Sequence, residues 1–152
     1  MAPWWQQHGN SDWLAQRRRL LTLLEQQAKL ERMVRIVGKD ALPVQQQLTL
    51  LCADLVSEAI LRQSAMSTVD RYCSPERQAA MMQLLTRFIE LSEQAIEQRV
   101  DFELIGNLPI LRRLRRMSEE IGEHDMDKFE TLRTELEQVF STLAKQEPAN
   151  AG

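Results

Sequence analysis

The sequence predicts an all-α bundle of about five or six helices, three of them long. Three observations carry that prediction. Apolar residues recur every three or four positions along most of the 152-residue chain, which is the spacing of one helical face. No run alternates apolar and polar residues as a half-buried strand does. Only 5 Gly and 5 Pro punctuate the chain, so the stretches between breaks are long enough for helices. At 43% hydrophobic and 27% charged residues the composition is that of globular material, and the length suits one domain with a real core.

Taken in order, residues Ala2–Asn10 hold Pro3, Trp4, Trp5, His8 and Gly9. Asp12 is then placed to cap a helix from Trp13 to about Val37. Leu20, Leu23, Leu24, Leu30, Met33, Val34 and Val37 form its expected core stripe. Arg17, Arg18 and Arg19 read as a solvated face. Gly38 can take a left-handed conformation that ends this helix. Pro43 sits where a new one begins, because its missing N–H costs nothing there. Gly38–Pro43 is therefore the polar tip of a helical hairpin.

The second helix spans about Val44 to Leu61, with Leu48, Leu51, Leu55 and Ala59 inward, and leads into an irregular stretch, Arg62–Cys73. Ser74-Pro75-Glu76 is a strong helix start: a cap, a proline at the first position and an acid in the first turn. The third helix runs to about Arg99 with Met81, Leu84, Leu85, Phe88, Leu91 and Ala95 inward. Met81 and Met82 read as core filling. Val100–Ile105 is a short helix stopped by Gly106-Asn107, and Pro109 opens the next. Ile110–Met117 carries Arg112, Arg113, Arg115 and Arg116 around Leu111 and Leu114. The last helix, about Asp125 to Leu143, buries Phe129, Leu132, Leu136, Val139, Phe140 and Leu143. Residues 145–152 form a polar tail expected to be disordered.

Several function classes are excluded at this stage. There is no GxxxxGK[ST] loop to cradle phosphates. His8 and His124 stand far apart with no ligand cluster around them, so no metal site is expected. No Ser–His–acid set can be assembled, and the carboxylate pairs Glu119/Glu120 and Glu135/Glu137 read as solvated. Cys52 and Cys73 fit no metal spacing and are expected to be reduced. A net charge of −3 gives no pull toward nucleic acid, and no apolar run reaches the ~18 residues of a membrane span. The chain is expected to be soluble, without a signal segment and without catalysis of its own.

One stretch resembles a known family. Met33-Val34-Arg35-Ile36-Val37-Gly38-Lys39-Asp40-Ala41-Leu42-Pro43, then Leu61-Arg62-Gln63-Ser64-Ala65-Met66, then Val69-Asp70-Arg71-Tyr72-Cys73-Ser74-Pro75-Glu76-Arg77-Gln78 resemble the C-terminal helical domain of the catalytic A subunits of V-type and archaeal-type rotary ATPases. The resemblance covers about Ala2 to Met117. It implies that residues 1–12 are a linker from a nucleotide-binding core, with 13–144 as the helical domain. It also implies cytoplasmic placement, peripheral to the membrane, within a complex that transports protons or sodium ions while hydrolysing or forming ATP. ATP or ADP with Mg would belong to the parent enzyme, with no cofactor held by this chain alone. The implied partners are the non-catalytic B subunits and the central stalk.

The same resemblance assigns candidate sites. Gln63, Ala65 and Met66 match a Gln-x-Ala-Phe segment that walls an adenine pocket. Met66 replaces an aromatic whose stacking on a base is worth about 1–3 kcal/mol, and a core role for it stays open. Lys39, Asp40, Ala41, Leu42 and Pro43 match a tip that touches the rotor. The corresponding F-type β-subunit loop, DELSEED, is acidic. Asp40 and Leu42 are kept here, but Ala41, Val44 and Gln45 stand where acids are common, so contact would rest on shape. Trp4, Trp5, Arg112, Arg113, Arg115 and Arg116 are candidate subunit contacts. The alternatives are self-packed tryptophans and paired or solvated arginines. A free-standing helical adaptor descended from this domain is the alternative for the whole chain.

Overall fold

The computed structural model describes the backbone of residues 4–68, 75–121 and 126–145, and the side chains of 15–59, 78–117, 120–121 and 127–145. These residues form six α-helices and no strand: α1 (Trp4–Val37), α2 (Val44–Thr68), α3 (Pro75–Glu97), α4 (Phe102–Gly106), α5 (Ile110–Glu120) and α6 (Met126–Lys145). The all-α bundle is the predicted one, and a short 3₁₀ turn, Lys39–Ala41, lies at the hairpin tip. In space α1 lies on α2 and α3, α5 covers α2, and α6 closes on α3.

Two long helices extend past their expected ends. α1 begins at Trp4, not Trp13. An isolated Gly9 costs a helix only about 1 kcal/mol, and Pro3 immediately ahead is a residue suited to a helix start. α2 continues to Thr68 instead of ending near Leu61, because no Gly or Pro intervenes between Pro43 and Pro75 to stop it. Other boundaries moved less. α3 ends at Glu97, where Arg99 takes a positive φ of 67°. The Val100 N–H then donates to the Ala95 carbonyl at 2.9 Å and the Arg99 N–H to Ile96 at 3.0 Å, which closes the helix end. α4 starts at Phe102 because the Asp101 carboxylate accepts from the Glu103 N–H at 3.0 Å, satisfying a first-turn donor. Lys145, expected to open the tail, is the last residue of α6, and the Ser74 cap and residues 146–152 lie outside the described residues.

The core is one continuous cluster. Leu55 and Val56 from α2, Leu85 and Phe88 from α3, Leu114 and Met117 from α5, and Leu132 and Leu136 from α6 are all enclosed. Met81 is buried and Met82 packs against the cluster. The α3–α6 seam contains an edge-to-face pair, Phe88 and Phe140, with ring centroids 5.8 Å apart at 68°. Leu23, Leu24, Leu51 and Leu91 are half-buried on the same cluster.

The expected stripe of α1 fails at its end. Leu20 and Leu30 are buried, but Met33 is 43% and Val37 56% exposed. Helical spacing gives them an apolar face; nothing in the described bundle stands opposite it this far along α1.

Candidate functional site

Two surfaces bring the predicted residues together: the hairpin tip and the arginine block of α5. At the tip, the Gly38 N–H donates to the Val34 carbonyl at 2.8 Å. Gly38 then turns the chain with φ 90° and ψ 153°, a region open essentially only to glycine. Pro43 precedes α2, and its carbonyl accepts from the Gln46 and Gln47 N–H groups at 2.9 and 3.0 Å. The Gln47 side chain donates to the Leu42 carbonyl at 2.8 Å, which pins the turn to the first coil of α2.

This geometry divides the five predicted tip residues. Lys39, Asp40, Ala41 and Pro43 are exposed, whereas Leu42 is only 4% exposed and plugs the hairpin from inside. Leu42 holds the tip in shape and cannot itself meet a partner. Sequence reasoning missed the residues that can. Met33, Ile36 and Val37 share a face at i, i+3 and i+4, and Ile36 is 83% exposed. Val44, the first residue of α2, is 46% exposed. The signal was present in the periodicity, which marked Met33 and Val37 as apolar-faced but not as unpartnered.

The four arginines of α5 separate into two classes. Arg113 pairs with Glu135 on α6. Arg115 reaches Asp54 and Glu58 on α2, each at 3.4 Å. Arg112 and Arg116 are exposed and have no ion-pair partner among the described residues. Elsewhere Arg19 joins Glu93 across α1 and α3, and Arg87 joins Glu137 across α3 and α6 at 3.0 Å. Such solvent-accessible or half-buried pairs contribute about 0–1 kcal/mol each, so they register the helices without holding the bundle together.

The adenine-wall candidates Gln63, Ala65 and Met66 lie on the last turns of α2, not on an irregular stretch. Their side chains, and those of Trp4, Trp5, Trp13 and His8, lie outside the described side chains; Cys73 and His124 lie wholly outside the described residues. Among the described residues no three His, Cys, Asp or Glu side chains gather as a metal site, and no helix is long and apolar enough to cross a membrane.

Cys52 sits at the base of a cleft of about 310 Å³, flanked by Leu23, Leu48, Thr49, Ile89 and Glu93. Burial pushes its thiol up to about 12, the Glu93 carboxylate adds to the rise, and the Arg19 guanidinium opposes it. The side chain is therefore a protonated core group, not a nucleophile. A consequence is measurable. The unfolded thiol ionises near its ordinary value of 9.0 while the folded thiol keeps its proton. Stability from this residue is intact below pH 9 and declines as pH rises toward 12. Between pH 9 and 10 the loss is about 1 kcal/mol. Urea unfolding at pH 8, 9 and 10 should show that slope, and Cys52→Ala should lack it.

A family model described as the C-terminal domain of V and A type ATP synthase matches residues 2–105. The chain is 36% identical over 143 residues to the A subunit of the A-type ATP synthase of Pyrococcus horikoshii, covering 94% of this chain and 14% of that protein. It is 34% identical to the A subunit of the A-type ATP synthase of Thermococcus onnurineus, at 94% and 24% coverage. With the V-type ATP synthase alpha chain of Nitrosococcus oceani the identity is 33% over 151 residues, 99% of this chain and 25% of the relative. The chain thus spans a quarter or less of the length of the curated relatives it matches. The family match reaches Ile105 in α4, and the alignments to the relatives span nearly the whole chain.

Proposed function

The chain belongs to the family of C-terminal domains of V- and A-type ATP synthases, and we propose that it is the mechanical domain of such an enzyme's catalytic subunit. In this reading its hairpin tip bears on the central rotor shaft, and its sides pack against non-catalytic subunits in the ring. The end of α2, with Gln63, Ala65 and Met66, flanks the adenine of a nucleotide whose phosphates and Mg are held elsewhere in the parent subunit. Residues 1–12 connect to that nucleotide-binding part. The domain alone supplies no phosphate cradle, so ATP hydrolysis or synthesis, and the ion transport coupled to it, belong to the assembly.

The observation that carries the reading is the apolar face at the tip. Met33, Ile36, Val37 and Val44 are four of the six large apolar side chains left exposed among the described residues, and these four gather at the hairpin end of the bundle. Exposed apolar clusters of this kind mark protein contacts. With only Lys39 and Asp40 charged within Gly38–Pro43, the contact would rest on shape and burial rather than on a strong field. A tip held by Gly38 on one side and Leu42 on the other keeps its form while pushing on a moving surface.

The test places a cysteine at the tip, Asp40→Cys, in the full-length parent protein within the assembled complex. Oxidative cross-linking to cysteines scanned along the shaft should yield a tip-to-shaft product. Ile36→Asp in the same background should reduce its yield by about tenfold, because a charge on that face must be desolvated on contact. Cross-links to ring neighbours alone would overturn the rotor assignment.

A further inference from the structure

A second surface, separate from the apolar tip face, carries an inference of its own. Arg112, Arg115 and Arg116 line a cleft of about 230 Å³ together with Glu58. Arg115 also lines a neighbouring cleft of about 550 Å³, which includes Glu31, Arg35, Lys39 and Asp54. The two clefts meet at Arg115 and run from α5 to the hairpin. Along them five cations (Arg35, Lys39, Arg112, Arg115, Arg116) face three carboxylates (Glu31, Asp54, Glu58). The sign is reversed from that of the whole chain, at −3.

The cations do not all have the same work. Arg115 is paired with Asp54 and Glu58 at 3.4 Å, which registers α5 against α2 at the floor of the cleft. Arg112 and Arg116 are exposed, with no ion-pair partner among the described residues. At i and i+4 they stand on one side of α5, about 6 Å apart along its axis. Two guanidinium forks at that separation, without an ion-pair partner among the described residues, match two carboxylates spaced one helical turn apart, each able to accept bidentate hydrogen bonds. A single phosphate would call for cations converging on one point, and the third arginine is already engaged.

We propose that the Arg112–Arg116 face of α5, with the cleft beside it, docks an acidic helix of a partner protein whose carboxylates lie one turn apart. The local sign reversal steers such a partner to this side of an acidic domain. The proposal uses none of the residues of the apolar tip face, so either assignment can fail without the other.

The experiment uses this chain and a fluorescein-labelled alanine-based helical peptide with glutamates at i and i+4, read by anisotropy at low salt. Saturable binding is expected, weakening as salt is added. Arg112→Gln/Arg116→Gln should bind at least about tenfold more weakly through loss of charge-assisted hydrogen bonds, with an unchanged far-UV spectrum to show that the fold is intact. Arg112→Lys/Arg116→Lys, which keeps the charge but not the fork, should fall between the two. A peptide with glutamines in place of the glutamates should not bind. Equal binding by wild type and the glutamine double variant would overturn the proposal, as would no saturable binding up to about 1 mM peptide. Displacement of the peptide by inorganic phosphate at concentrations below those at which the peptide itself binds would also overturn it, making the cleft a small-anion site.

Discussion

Truncating Phe88 to alanine should lower the unfolding free energy by about 3–5 kcal/mol, the largest loss expected from any single truncation in this bundle. Phe88 is fully enclosed in the middle of α3 and meets Phe140 edge-on at 5.8 Å. Its removal forfeits the transfer energy of the ring, leaves a cavity in a close-packed interior, and deletes an aromatic pair worth about 0.5–1.5 kcal/mol beyond its area. The location matters as much as the size. α6 is held chiefly against α3, and its surface ion pairs Arg87–Glu137 and Arg113–Glu135 are too exposed to replace a lost seam. Domains of this kind are stable by about 5–15 kcal/mol, so the variant should approach the limit of folding. Urea denaturation of wild type, Phe88→Ala, Phe140→Ala and the double variant would check this. A loss under about 1 kcal/mol for Phe88→Ala would mean that the α3–α6 seam is not packed as described.

The same seam was the most legible part of the sequence. Phe129, Leu132, Leu136, Phe140 and Leu143 repeat at helical spacing, and all five are buried. Periodicity succeeded there because α6 is one-sided and α3 covers that side. It failed at the end of α1, where Met33 and Val37 keep the same spacing but face outward. A repeat shows that a helix has an apolar face; whether another element covers it is a tertiary fact. The arginine block was legible as a charge run but not as a pattern of partners. Arg113 finds Glu135 22 positions away and Arg115 finds Asp54 61 away, separations that no local rule connects. Cys52 could be read as a core thiol from its apolar neighbours, yet the Glu93 carboxylate beside it comes from another helix. The tip was legible in kind, since Gly38 and Pro43 are the residues such a turn requires. Leu42 shows where that reading stops: a residue in an exposed loop can still point inward.

Gly38→Val should cost about 1–3 kcal/mol of stability, near the upper end because a β-branched residue tolerates positive φ least. The backbone at Gly38 has φ 90° and ψ 153°. A Cβ added there would meet nothing within 4 Å. Crowding is therefore not the source of the penalty; the strain is in the backbone itself. A D-alanine at this position, introduced by semisynthesis, relieves that strain through its opposite chirality and should be far less costly than L-valine. The chain has one other way to accommodate valine: rotate position 38 to negative φ and re-aim the 3₁₀ turn. The Gln47–Leu42 hydrogen bond and the burial of Leu42 oppose that rotation. Stability and tip direction are thus coupled at one residue. If the turn holds, thermal or urea unfolding records the full strain and the tip stays in place. If the turn yields, the stability loss shrinks, but the apolar face of Met33, Ile36 and Val37 no longer meets the loop in the same register. In the assembled enzyme, the tip-to-shaft cross-link proposed for Asp40→Cys would then fall even though the domain remains folded. A Gly38→Val variant that loses neither stability nor cross-link would refute the requirement for glycine at the turn.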